Sequence, residues 1–217
     1  MASDPYTYPG TETLRNRLGI TGDKTLTEAE RRLTQARGAE AARLPFPATA
    51  DGYRALHKHL FQDLYDWAGQ DRTVNIAKVD RARSRPYLAR ELDKRFAEVG
   101  AQSGFRGLPR EEFFDRLGNH INEINAIHPF REGNGRTMRH HAAPVRPRSG
   151  HPIRIAAIDK DRWMEASRHG FLTGDHRGMA AVLSAAAIKR DRAGGADRPA
   201  GIAMLPKRAP PEGNAIA

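Results

Sequence analysis

Residues 109–139 read PREEFFDRLGNHINEINAIHPFREGNGRTMR, and the architecture follows from how this stretch divides. Pro109 can open a helix, and Glu111 and Glu112 in the first turn complement its positive end. Phe114, Leu117, Ile121, Ile124 and Ile127 or His128 recur at steps of three or four, which predicts a helix over 109–127 with one buried face. His-Pro-Phe and Gly133-Asn134-Gly135 then interrupt the helical pattern, and a second helix is expected from Gly135. Such a loop presents backbone N–H groups at a helix N-terminus, which is a natural anion site.

Working outward, residues 25–43 read as a helix that Thr25 or Thr27 can cap. Residues 51–67 read as another, with Leu56, Leu60, Leu64 and Trp67 on one face. RTVNIAKV (72–79) alternates as a short strand or hairpin does. Further helices are expected over 86–99, 159–169 and 175–190. From residue 191 the chain is rich in Gly, Pro and Ala and is read as a disordered tail. The predicted class is all-α with one small β-hairpin.

Composition narrows the chemistry. The 217 residues carry 36 Lys and Arg against 26 Asp and Glu, a net charge of +10, and no cysteine. Disulfides, thiolate metal sites and cysteine nucleophiles are thereby excluded. No apolar run is long enough for a transmembrane helix and the first residues lack the pattern of a secretory leader, so the cytoplasm is expected, without membrane association. Six arginines and one acid lie between His128 and Arg154, half of the net charge. Aromatic residues are nearly absent there, so stacking on single-stranded bases is not expected, and direct nucleic-acid binding is kept only as a rival reading. A local phosphate site fits better. The histidines form no HExxH pair, and His57 and His59 fall on different helix faces, which argues against a histidine metal hydrolase.

Within HPFREGNGR, His128 can take a proton near neutral pH, and Glu132 is a hard oxygen ligand suited to Mg²⁺. Gly133, Asn134 and Gly135 can cradle an anion. Arg136 and Arg139 lie three apart on one helix face, as two forks for the outer phosphates of a nucleotide. A base, a metal ligand, an anion loop and two clamps suit transfer of a phosphate-linked group to a hydroxyl.

HPFREGNGR (128–136) resembles the Fic family signature HPF-x-[D/E]-G-N-G-R at every defined position, and Arg139 continues it as R-x-x-R. YPGTETLRNRLGI (8–20), LFQDLYDWAGQ (60–70), RTVNIAK (72–78) and IDKDRWMEASRHGFLTGD (158–175) are similar to segments of bacterial FicT-type toxins and effector Fic domains. The resemblance implies a Fic domain over residues 1–190, followed by the tail 191–217. It implies AMP transfer from ATP to a hydroxyl side chain of a target protein. His128 would be the general base, Glu132 would bind Mg²⁺, Gly133, Asn134 and Gly135 would form the anion hole, and Arg136 and Arg139 would hold the outer phosphates. Asn75, Ile76, Ala77, Lys78 and Val79 would form a flap that docks the target as an added strand. Doc-type kinases carry lysine where Gly135 stands, so Gly135 favours adenylylation. By the same resemblance the target would be the ATPase subunits of DNA gyrase and topoisomerase IV. No [S/T]-x-x-x-E-[G/N] motif occurs in the chain, so a small antitoxin is expected to inhibit in trans. Pro144 and Pro147 interrupt the region after Arg139, where the family continues a long apolar helix. They predict that the helix carrying the arginines stops within about one turn of Arg139. A module that binds without catalysis is the alternative reading.

Overall fold

The apolar stripe of residues 110–127 becomes the central helix of the structure, a computed structural model that describes residues 4–75, 87–143 and 150–188. Seven α-helices are formed by the described residues. They are α1 (Asp23–Ala41), α2 (Ala50–Phe61), α3 (Leu88–Ala101), α4 (Arg110–Ile127), α5 (Asn134–Ala142), α6 (Lys160–Thr173) and α7 (Arg177–Ala185). The only β pairings among the described residues are two isolated bridges, Thr7 with Leu14 and Ile153 with Ala187. The class is all-α. Of the hairpin expected over 72–79, residues 72–75 are described and form no strand, while 76–79 lie outside the described residues, as does the tail 191–217. No described helix is long and apolar enough to cross a membrane.

Phe114, Leu117, Ile121, Ile124 and Ile127 are all buried, as their spacing requires. They anchor a cluster with Leu92 and Phe96 of α3, Met138 of α5, Trp163 of α6 and Met179 and Leu183 of α7. Helices α4 and α7 approach closely at Gly118, where a Cβ would stand 2.7 Å from the backbone nitrogen of Ala180. Any side chain there would push the two helices apart. Asp159 caps α6 by accepting from the amides of Asp161 and Arg162, both at 3.0 Å.

A second cluster joins Leu26 of α1 to Leu56, Leu60 and Phe61 of α2 and to Leu64 and Tyr65 beyond it. Helix α2 lies between the clusters. Its Ala50 and Tyr53 belong to the first and its Leu56, Leu60 and Phe61 to the second.

Several helix limits differ from the sequence pattern, and α6 runs on to Thr173, four residues past the expected 169. Helix α1 begins at Asp23, and its N-cap is Gly22 rather than Thr25 or Thr27; no side chain caps it. Helix α2 ends at Phe61, six residues before Trp67, and turns replace its last stretch. The early end lets the chain double back, so that Tyr65 reaches Glu30 of α1 and the Gly69 amide reaches His57 of α2. Helix α7 spans 177–185, since Ala187 leaves it to bridge Ile153.

Candidate active site

Helix α4 stops at His128, whose backbone enters the left-handed region (φ 49°, ψ 61°). Few residue types other than glycine accept that conformation, and histidine is among those enriched in it. It redirects the chain where the imidazole is attached. The loop that follows is braced from four distinct places. Arg72, 2% exposed, donates through Nε to the His128 carbonyl at 2.9 Å and through its backbone N–H to the Pro129 carbonyl at 2.8 Å. Burial holds its guanidinium pKa below the ordinary value. Asp4 accepts two bonds from Arg131, at 2.7 and 3.0 Å. Asn134 accepts from the Phe130 amide at 3.0 Å and donates to the Phe130 carbonyl at 2.8 Å.

The fourth brace is His57 of α2. Its Nδ1 accepts from the Gly69 amide at 2.8 Å, so the ring proton resides on Nε2, which donates to the Glu132 carbonyl at 3.0 Å. The imidazole stacks on Phe130 at 3.8 Å and on Phe61 at 4.7 Å between ring centroids. Burial lowers its pKa to about 3, helped by the nearby Arg136. His57 is therefore a neutral tie between the two apolar clusters. His59 faces elsewhere and touches the Arg37 carbonyl at 3.2 Å.

Helix α5 begins at Asn134, one residue before the expected Gly135. Gly133 is its N-cap at φ 81°, and a Cβ there would meet the Phe61 ring at 2.2 Å. Both conformation and space demand glycine. Its amide donates to Glu132 Oε1 at 2.8 Å. Thr137 returns both its amide and its hydroxyl to the Gly133 carbonyl at 3.0 Å. The first-turn amides of Asn134, Gly135 and Arg136 have no acceptor within the helix, as at any α-helix start.

The loop and α5 thus bring His128, Glu132, Gly133, Asn134, Gly135, Arg136 and Arg139 into one continuous unit. The Asn134 side chain bonds Phe130, and its backbone N–H is the group read as facing an anion. The Gly133 amide, read the same way, is engaged by Glu132 Oε1. Helix α5 runs three residues past Arg139, to Ala142, and the prolines at 144 and 147 lie outside the described residues. Of the flap positions, Asn75 is described, beside the Val74 carbonyl that Arg72 binds at 2.6 Å. Ile76, Ala77, Lys78 and Val79 lie outside the described residues.

Sequence reasoning missed Asp4, Glu30, His57, Tyr65 and Arg72. Glu30 of α1 pairs with Arg136 and accepts from the Tyr65 hydroxyl. A glutamate of the chain's own therefore reaches Arg136, the first of the two arginines. The inhibitory motif does not include it, because Glu30 precedes arginine rather than glycine or asparagine. For His57 and Arg72 no local pattern signals a role, since their partners lie 75 and 56 residues away.

Residues 47–143 match the Fic/DOC family. The chain is 38% identical over 188 residues to a probable protein adenylyltransferase of Sinorhizobium fredii, covering 83% of this chain and 94% of that one. It is 31% identical over 182 residues to the probable protein adenylyltransferase Fic of Escherichia coli K12, covering 83% and 90%. A crystal structure of the BepC protein of Bartonella tribocorum with bound AMPPNP shares the fold. The TM-score is 0.76 at 22% identity, covering 86% of this chain and 97% of that one.

Proposed function

The chain belongs to the Fic/DOC family, and from that premise we propose that it transfers AMP from ATP to a hydroxyl side chain of a target protein. The observation that carries the reading is the braced loop. Four separate contacts hold residues 128–134, the stretch that carries His128 and Glu132 and leads into the helix start and arginines of α5. The names of the relatives, protein adenylyltransferases, support it.

The His128 imidazole takes the proton of the target hydroxyl, and the oxygen attacks the α-phosphorus. A new P–O bond joins AMP to the side chain as the bond to the β-phosphate breaks, and pyrophosphate leaves. The first-turn amides of α5 and the guanidinium groups of Arg136 and Arg139 stabilise its growing charge. Gly135 leaves room over this turn, because a Cβ there would meet only Arg139 Nη1, at 3.7 Å. Glu132 suits Mg²⁺. One of its oxygens accepts from the Gly133 amide, and the residue is partly exposed. Mg²⁺ is commonly held by one or two carboxylates together with substrate phosphates. When bound, the ion would add positive charge between the phosphates. Residues Asn75–Val79 would dock the target main chain.

By resemblance to FicT toxins the target would be the ATPase subunits of DNA gyrase and topoisomerase IV, and the partner a small antitoxin. The test is label transfer in a bacterial lysate with Mg²⁺, comparing ATP labelled at the α- and at the γ-phosphate. Only α-label is expected on a protein of gyrase-subunit size, and His128→Ala abolishes it. Transfer of γ-label would instead identify a kinase.

A further inference from the structure

Helix α1 carries none of the motif, yet it meets the motif at Arg136. Glu30 is 8% exposed, and its carboxylate uses both oxygens, one on the Arg136 guanidinium and one on the Tyr65 hydroxyl. One turn on, the Thr34 hydroxyl donates to the Glu30 carbonyl at 2.6 Å, which leaves its oxygen to accept from Arg136 Nη1 at 3.2 Å. The guanidinium carbon sits 5.2 Å from the centroid of the Phe61 ring. Three supports from two helices therefore hold one side chain, and the Nε–H and one N–H on each terminal nitrogen are left over.

We propose that Glu30, with Thr34, is a positioning residue for the reaction: it orients the Arg136 guanidinium so that its remaining N–H groups meet the nucleotide phosphates. This rests on the reading that Arg136 contacts those phosphates. The physical case has two parts. First, a long arginine side chain loses rotamer freedom when it is fixed, and the Glu30 contact imposes that loss before the nucleotide arrives. Second, Glu30 is badly placed to act as a rival for the phosphate. To make way it would have to leave its ion partner while still buried in the middle of α1, and an unpaired buried charge is strongly destabilising. The phosphate binds beside Glu30 and not in place of it. Tyr65 completes the arrangement by fixing the second carboxylate oxygen. Burial and the adjacent Glu30 push the Tyr65 pKa up, which keeps it a donor.

The test is the affinity of the full chain for Mg²⁺ and a non-hydrolysable ATP analogue, measured by titration calorimetry, so no target protein is needed. Glu30→Gln keeps the shape and removes the charge; it should weaken binding about tenfold while the melting temperature stays within a few degrees. Thr34→Val should weaken it two- to threefold, and it tests the same idea if the Glu30→Gln variant does not fold. In an Arg136→Gln background, Glu30→Gln should add nothing further, because its effect passes through Arg136. A merely structural glutamate would instead add its full effect again, which overturns the proposal. Tighter binding by Glu30→Gln would also overturn it, and would make Glu30 a competitor of the phosphate. Weakening by Arg136→Gln with no effect of Glu30→Gln or Thr34→Val would sink the positioning role and leave the proposed function standing. Unchanged affinity in Arg136→Gln would remove the phosphate role of Arg136, and the inference with it.

Discussion

Arg136 and Arg139 lie one turn apart on α5 and are held in opposite ways. Arg136 is paired with Glu30, bonded to Thr34 and seated on Phe61. Arg139 lies over the Trp163 ring at 5.8 Å, and among the described residues no carboxylate is within ion-pair distance of it. Burial and its neighbour Arg136 both press its pKa below the ordinary value. The first arginine has its charge balanced and its geometry set by the fold. The second carries an unbalanced charge in a partly desolvated place, where an arriving anion gains most. A shared motif letter thus hides two environments: one guanidinium is paired and fixed, the other is not paired with any described carboxylate.

The comparison can be erased or sharpened by substitution. The largest effect is expected from Gly133→Ala, which removes the start of the helix that carries both arginines. The new methyl meets Phe61 at 2.2 Å and the backbone stays at φ 81°. A loss above about 4 kcal/mol, read by urea unfolding, is expected, since two named sources of strain combine. A Gly133→Ala variant as stable as its parent would mean that the start of α5 is softer than described.

Next come the arginines themselves. Arg136→Ala strands Glu30 in a buried site and should cost about 3 kcal/mol. Arg139→Ala breaks no ion pair and relieves repulsion, so it should cost under about 1 kcal/mol, in the range of changes away from strained or paired sites. Equal costs would contradict the division drawn above. In nucleotide titrations both should weaken binding, Arg139→Ala at least as strongly.

The pH dependence follows from the buried histidines around the motif. His57 is lowered to about 3, and His140 and His141 to about 4, chiefly by burial, with Arg139 adding to the effect on His140. His120, which meets His141 at 3.1 Å, is lowered too. In the unfolded chain these groups titrate near 6.5, so between pH 6.5 and about 4 the unfolded state binds more protons than the folded one. Stability is full above pH 6.5 and falls as pH drops through that window, by up to about 1.4 kcal/mol per pH unit for each histidine kept neutral. Unfolding midpoints from pH 7.5 to 4.5 would show it. Arg139→Ala should soften the fall, because His140 then loses a nearby cation. A flat profile would contradict the burial of these rings. The smallest effect is expected from Asp4→Asn, which weakens the half-exposed bond to Arg131 and should cost about 0.5–1 kcal/mol.

How the site was read divides along the same line as how it is held. The stripe of Phe114, Leu117, Ile121, Ile124 and Ile127 was legible because one period of a single helix decides which residues face inward. The loop 128–136 was legible because its chemistry lies in nine consecutive residues. Helix ends were less legible. Nothing local to Phe61 says that α2 must stop there; the reason is the return of Tyr65 to Glu30 and of Gly69 to His57. The bonds of the Asn134 side chain to Phe130 were likewise not legible.

The amino-acid sequence by itself determined that the chain is helical, where its central helix lies, and which run of residues carries His128, Glu132, Arg136 and Arg139 of the family motif. Those properties depend on spacing within one element or on residue types in direct succession. Only the tertiary structure decided that His57, Arg72 and Asp4 brace the loop and that Glu30 balances Arg136 and not Arg139. The partners of Arg136 on α1 lie 102 and 106 residues earlier in the chain. A pairing across such a distance is set by how α1, α2 and α5 pack, and packing is a property of the assembled cores and not of any one segment.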